Sequence, residues 1–482
     1  MPNAVALPAG HSGSSFFHSV LTHVAARFPH VFARVALPSS AAAFKREYGS
    51  ALARFEAARV RSPERVAIAR ELVRVGEEAL QYGSAPLREV LSKHVDTPIL
   101  HRIGRAAEGT EIELPFEGRV YRGRFAHDVI ERLHAAHQLS DRAYEALRWI
   151  IAHERLDLRG ERFVVLGAGA ELASTELLLR AGAEVLWIDL SEPLRKASLG
   201  LVLRAPGINN LLEQPREVAA AIRAFAADGP VHVGMFAYAP GASKEWRLAA
   251  TMNAIVSSLE PELVRSVSLL VSPTTPAVLS KETLVAAGLR KLHSPSWQRI
   301  LARSGVTREP GWVRNDDTHV SLSTVSLQGL SYQAAQYIAK IAAAETFAVY
   351  GPNPDAPRPI AVSANVAGVT RTRSLSHPLF SAAFLGASQF GVRIFEPATT
   401  RALSGLLMLH DLLNPNSPVA LAQGDAARAS ALHTQQVHGG IYGLPWALEG
   451  VIRVAAVVGL ANQPTLLLGA KPQPAPVPAA AE

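Results

Sequence analysis

Phe163-Val164-Val165-Leu166-Gly167-Ala168-Gly169-Ala170 is the stretch from which the fold can be read. Four apolar residues make a short strand that ends on a glycine turn. A helical segment runs on to Arg180, and Glu184 to Ile188 reads as a second strand closed by Asp189. Strand, glycine turn, helix, strand and acid is the order that a nucleotide-binding unit requires. Gly167 permits a tight turn after the strand. Gly169 lets backbone N–H groups approach a pyrophosphate at the positive end of the helix. Asp189 stands about twenty residues on, where an acid accepts from a ribose hydroxyl. The third glycine of the full fingerprint is absent, and Leu172-Ala173 take its place. A tight turn with a purely structural role would use the same glycines. A carboxylate at 189 favours NAD over NADP, whose phosphate it repels. Arg195 and Lys196 follow closely and keep NADP in play.

Outward from this unit the alternation continues. A helix near Arg216–Ala227 leads to a strand at Val231–Tyr238. A helix near Lys244–Leu259 leads to a strand at Ser266–Ser272. Further strands are expected at His319–Val325 and Pro359–Asn365, around an Ala-rich helix from Tyr332 to Tyr350. Alternation of this kind predicts a doubly wound parallel sheet of Rossmann type. Before it, Leu72, Val73, Val75 and Leu80 recur at helix spacing, and Ser62-Pro63-Glu64 reads as a helix start. Glu111–Phe125 suggests a β-hairpin, followed by helices at His127–His137 and Asp141–His153. The expected organisation is a mostly helical N-terminal region over 1–155 and an α/β core over 156–400, with an insertion near 274–317. An apolar helical region over 401–470 and a disordered Pro/Ala-rich tail over 471–482 complete it.

The 482 residues are 48% apolar and 18% charged, ordinary for a globular chain with a large core. Cysteine is absent, which excludes disulfides, thiolate nucleophiles and Cys-ligated metals. The net charge of +7 is scattered, with no run of like charge, so nucleic-acid binding is not expected. No signal peptide and no stretch of ~18 apolar residues is found, so no membrane span is expected. The chain reads as cytoplasmic, acting on a small molecule, with a homo-oligomer possible. His127, His134 and His137 can share a helix face but lack the carboxylate and second helix of a metal site, and no metal is expected. His232, inside an apolar strand, reads as a hydrogen-bonded core group. Tyr238-Ala239-Pro240-Gly241, after that strand, reads equally as a pocket wall or a plain turn.

Four later features, in chain order, resemble the short-chain dehydrogenase/reductase superfamily. Asn253 lies in Thr251-Met252-Asn253-Ala254, on the helix after the fourth strand. Ser272 ends the next strand. Ser331-Tyr332-Gln333-Ala334-Ala335-Gln336-Tyr337-Ile338-Ala339-Lys340 resembles the family's Tyr/Lys helix. Ala367-Gly368-Val369-Thr370-Arg371-Thr372 resembles its Pro-Gly-x-x-x-Thr loop. The resemblance spans about Arg162 to Pro378. It implies NAD or NADP as cofactor, with Gly167, Gly169, Asp189, Asn253, Gly368 and Thr372 around it. It implies Tyr332 or Tyr337, with Lys340 and Ser272, as the catalytic set, and an apolar lid over Leu379–Phe390. The match is incomplete. Four residues after Tyr332 stands Gln336 rather than lysine, and Gln336, not tyrosine, precedes Lys340 by four. The stretch from Ser272 to Tyr332 is long, and Ser323 is a second candidate serine. The rival readings are a methyltransferase using S-adenosylmethionine, with Asp189 on its ribose, and a non-catalytic nucleotide-binding scaffold.

Overall fold

The computed structural model describes residues 3–193, 196, 198–241, 243–375 and 377–464. Arg195, weighed above for cofactor choice, and the tail over 471–482 lie outside them. The centre of the molecule is a seven-stranded, mostly parallel sheet. Its strands are β1 (His101–Ile103), β2 (Arg162–Leu166), β3 (Glu184–Ile188), β4 (Leu201–Arg204), β5 (Val231–Met235), β6 (Val264–Val271) and β7 (Ala361–Val366). They lie in the order β7-β6-β5-β2-β3-β4-β1. β1 alone runs antiparallel, on the edge against β4. From β2 the chain winds first toward β4, then returns to β5 on the other side and winds toward β7. The direction of winding therefore reverses between β2 and β5.

Successive residues of a strand face opposite sides, and the sequence obeys this period. Val164 and Leu166 enter one core, with Met235, Val267 and the helices Pro215–Ala226, Lys244–Ser257 and Gly329–Gln336. Phe163 and Val165 enter the other, with Leu133, Leu147 and Leu406 from helices on the opposite face. The N-terminal helices Gly13–Arg27, Ala41–Arg61 and Arg65–Glu78 cover the first face. Phe16 stacks on Trp246 at 4.7 Å between ring centres, and the Tyr48 hydroxyl donates to the Val325 carbonyl at 3.0 Å. No helix among the described residues is long and apolar enough to cross a membrane.

Several elements differ from the sequence expectation. The helix after the glycine turn is only Thr175–Arg180, because the preceding residues form successive tight turns. The insertion holds helices Lys281–Leu292 and Ser296–Arg303 and a hairpin of Trp312–Asn315 with Thr318–Ser321, so the strand expected at His319–Val325 pairs outside the main sheet. β4 and β1 carry no distinct signal, since three or four residues cannot show a period. The helix before β7 starts at Gly329 and widens into a π-helical segment, Tyr337–Ala342, before resuming as Ala343–Tyr350.

That helix is fixed by a buried ionic cluster. Arg59 is 0% exposed. Its guanidinium donates to Glu56 at 2.7 and 2.8 Å and to Glu345 at 2.7 and 3.2 Å. Arg65 donates to Glu345 at 2.5 Å, and the Tyr337 hydroxyl to Glu56 at 2.6 Å. Burial alone would raise the Glu345 carboxyl; Arg59 and Arg65 outweigh it and hold it well below its ordinary 4.5. A depressed carboxylate stabilises the fold above its unfolded pKa and loses that contribution as pH falls. Urea unfolding of Arg59→Met is expected to show a loss of about 3–5 kcal/mol, because two buried carboxylates lose their shared partner. Glu345→Gln should flatten the loss of stability on acidification below about pH 4.5. A loss for Arg59→Met no larger than for the exposed Arg142→Ala would contradict the role of the cluster.

Candidate functional site

The glycine turn sits at the carboxyl end of β2, where the winding reverses. Gly167 has φ +85°, and a Cβ there would collide with the backbone of Ala237, just beyond β5. The two strand ends therefore meet closely. Asp189 folds back over the turn. One carboxylate oxygen accepts from the Gly169 N–H at 3.0 Å, the other from the N–H and hydroxyl of Ser191 at 2.8 and 2.6 Å. A Cβ on Gly169 would strike the Ser191 hydroxyl and Asp189. The bare glycine thus serves the approach of Asp189, not an open path for pyrophosphate as the sequence suggested. The helix that follows begins eight residues after Gly167 and is too short to present a strong positive end. The Thr175 hydroxyl ties it back to the Ala168 carbonyl at 2.7 Å.

Next along the same edge is a ladder between β6 and the helix that opens at Gly329. The Tyr332 phenol lies near the Ser272 and Thr274 hydroxyls. One turn on, the Gln336 side-chain carbonyl accepts from the Ser272 N–H at 3.0 Å. One turn further, the Lys340 ammonium donates to the Leu270 carbonyl at 2.7 Å. Residues four apart on one helix face thus follow alternate residues of one strand. Ser272 and Thr274 share a hydrogen bond of 2.8 Å, and Thr274 donates to Gln328 at 2.6 Å. Burial raises the Tyr332 phenol well above its ordinary 10.0, and no ammonium counters it. Burial likewise lowers Lys340 to about 8.

A third element closes the row. The Tyr238 ring meets that of Tyr332 edge to face at 6.3 Å between centres, and its hydroxyl lies near Ser374. Ser374 in turn bonds Thr372 at 2.9 Å. The Arg373 N–H donates to the Glu171 carboxylate at 3.1 Å, which brings the 368–374 loop to the glycine turn. Gly368 is bare because the Phe395 ring lies against it. Beside Thr274 and Gln328 opens an apolar pocket of about 50 Å³, walled by Val369, Phe380, Phe384 and Ile452.

The structure thus brings Gly167, Gly169, Asp189, Ser272, Tyr332, Gly368 and Thr372 to one edge. Other expected residues lie elsewhere. Tyr337 points to Glu56, because at one residue past Gln336 it faces away from β6. Lys340 is one turn too far along to reach the phenol. Asn253 is buried and donates to the Ala339 carbonyl at 3.0 Å, between two helices rather than at the turn. Ser323 donates to the Thr275 carbonyl at 3.0 Å. His134 bonds Asp141 at 2.7 Å, and His232 lies between Ser266 and Glu161 at 2.7 and 3.1 Å. Thr274, Gln328, Gln336 and Ser374 were missed as site residues. Only their nearness to Ser272, Tyr332 and Thr372 in sequence could have flagged them.

No family model, curated protein or solved structure matches the chain.

Gly167→Ala and Gly160→Ala separate conformation from contact. Both glycines have positive φ, +85° and +87°, but only Gly167 has a neighbour within reach of a Cβ. The conformational cost should be about 1–3 kcal/mol at each. Chemical unfolding should show the larger loss at Gly167, and equal losses would contradict the close approach to Ala237.

Proposed function

We propose that the chain is a NAD(P)-dependent carbonyl reductase, with NAD favoured, whose cofactor lies across the carboxyl edge of the sheet. The observation that carries this reading is the Ser272–Tyr332 pair, set on the same edge as the glycine turn, Asp189 and the 368–374 loop. The strand order supports it. Counted from β2, the parallel strands run 3-2-1-4-5-6, the order of doubly wound dinucleotide-binding sheets of Rossmann type, which hold ligands where the winding reverses. The reading also takes the chain to be cytoplasmic.

Asp189 fits a ribose, since its carboxylate lies at the strand end and can accept further hydrogen bonds. The turn fits a pyrophosphate less fully, because the Gly169 N–H is already taken by Asp189. When bound, the nicotinamide would supply the hydride. Ser272 and Tyr332 would hold the substrate's carbonyl oxygen by their hydroxyls. Gln336 keeps Ser272 in place through its backbone. With its pKa raised and no lysine beside it, Tyr332 stays protonated at neutral pH. It can then donate a hydrogen bond to a carbonyl oxygen and, as hydride arrives, its proton. The apolar pocket behind Thr274 would take an apolar part of the substrate.

A second reading follows from the same fit. A ribose acid without a full pyrophosphate cradle also suits a nucleoside cofactor such as S-adenosylmethionine. Calorimetric titration with NADH, NADPH and S-adenosylmethionine discriminates. NADH should bind most tightly, and Asp189→Ala should weaken it. Tyr332→Phe should cut carbonyl reduction by a factor of ~100 while leaving NADH affinity unchanged. Tyr337→Phe should leave turnover unchanged. Binding of S-adenosylmethionine but of neither dinucleotide would overturn the redox reading.

A further inference from the structure

A large cavity lies at the other end of the sheet. It measures about 620 Å³, within the ~300–1,000 Å³ typical of small-molecule sites. Its wall includes the end of the helix Lys244–Ser257, which leads to β6, and residues 350–357, which lead to β7. These segments enter the amino ends of the strands, so the cavity is separate from the edge that carries Tyr332 and Asp189.

Its chemistry is two-sided. Val73, Leu91, Ala254 and Phe347 make an apolar wall. The rim is strongly basic. Its acids are already matched: Glu78 pairs with Arg74, Asp355 with Arg88 and Glu260 with Arg223. Arg70 and Lys93 remain. Arg70 lies 4.8 Å from the centre of the Tyr350 ring. Among the described residues, neither Arg70 nor Lys93 pairs with a carboxylate. An apolar chamber with two uncompensated cations at its mouth has a net positive field and attracts an anion.

A polar group in the wall points the same way. Glu77 lines the cavity, with its Oε1 buried without a hydrogen-bond partner and the Asn253 side chain as a neighbour. An unpaired buried polar atom is costly unless something meets it. Burial raises the Glu77 carboxyl to about 8, so at neutral pH it is protonated and uncharged. It then does not repel an anion and can donate a hydrogen bond, to Asn253 or to a bound molecule.

We propose that this cavity binds an amphiphilic organic anion, a carboxylate or phosphate monoester on an apolar body. The head sits on Arg70 and Lys93, and the body lies between Val73, Leu91 and Phe347, with Glu77 as a hydrogen-bond donor. The proposal is independent of the function assigned to the opposite edge.

Decanoate, decyl phosphate and the neutral decanol are the probes, titrated into the full chain by calorimetry. At least one anion should bind roughly tenfold or more tightly than decanol, the scale of one charge-assisted contact. Whichever anion binds better identifies the head group. The double variant Arg70→Ala/Lys93→Ala alters exposed side chains and should bring that anion down to the level of decanol. Ala254→Phe, which adds a ring to the wall, should weaken all three probes. Equal binding of anions and decanol, no binding of either anion, or a double variant that binds as tightly as the unaltered chain would overturn the proposal.

Discussion

Arg59, wholly enclosed between Glu56 and Glu345, is the contact on which the arrangement of this molecule depends. A buried guanidinium is tolerable only if its donors are met, and here four hydrogen bonds to two carboxylates meet them. Glu56 and Arg59 belong to an N-terminal helix. Glu345 belongs to the helix before β7. The cluster therefore locks the rotation and axial position of that second helix against the N-terminal layer. Tyr337 adds a further bond to Glu56 from the π-helical segment. With one face of the helix held this way, the opposite face has no freedom left. Tyr332, Gln336 and Lys340 are laid along β6, each opposite a set partner.

The carboxyl edge follows from this placement. Tyr332 lies beside Ser272 because Gln336 and Lys340 hold the helix in register with the strand. Tyr238 and the 368–374 loop then extend the polar row toward the glycine turn, where Gly167 and Ala237 press two strand ends together. The π-helical widening begins immediately after Gln336. It holds both Tyr337, which bonds the ionic cluster, and Lys340, which bonds the sheet, and such widenings recur at functional sites. The opposite end of the sheet is built otherwise. There, arginines on several helices surround an apolar chamber, and their acids are matched locally.

The sheet was legible where strands are long and apolar. β2, β3, β5, β6 and β7 all stand out as apolar segments between helical ones, and the chain order implied parallel pairing. β1 and β4 were not legible, since so short a strand has no readable period and its pairing depends on a distant neighbour. Asp189 and Gly169 stand out in the sequence as ribose and pyrophosphate contacts, not as partners of each other. Their mutual hydrogen bond was invisible, because it depends on how the chain turns after β3. Among the catalytic candidates, Ser272 and Tyr332 come together as chain order implied. Tyr337 and Lys340 do not, because helix phase decides them, and a shift of one residue turns a side chain through about 100°. The Arg59 cluster could not be read at all. Its partners lie nearly three hundred residues apart, and each taken alone looks like an ordinary surface charge.

We propose that one edge of the sheet, assembled by these contacts, holds a nicotinamide nucleotide. Hydrogen–deuterium exchange with and without NADH tests it directly, because it reports which backbone segments the ligand covers. Slowed exchange is expected in residues 167–174, at Ser191 and in the 370–374 loop, with the amino-edge cavity near Arg70 and Lys93 unchanged. Slowed exchange confined to that cavity, or no change at the glycine turn at saturating NADH, would contradict it.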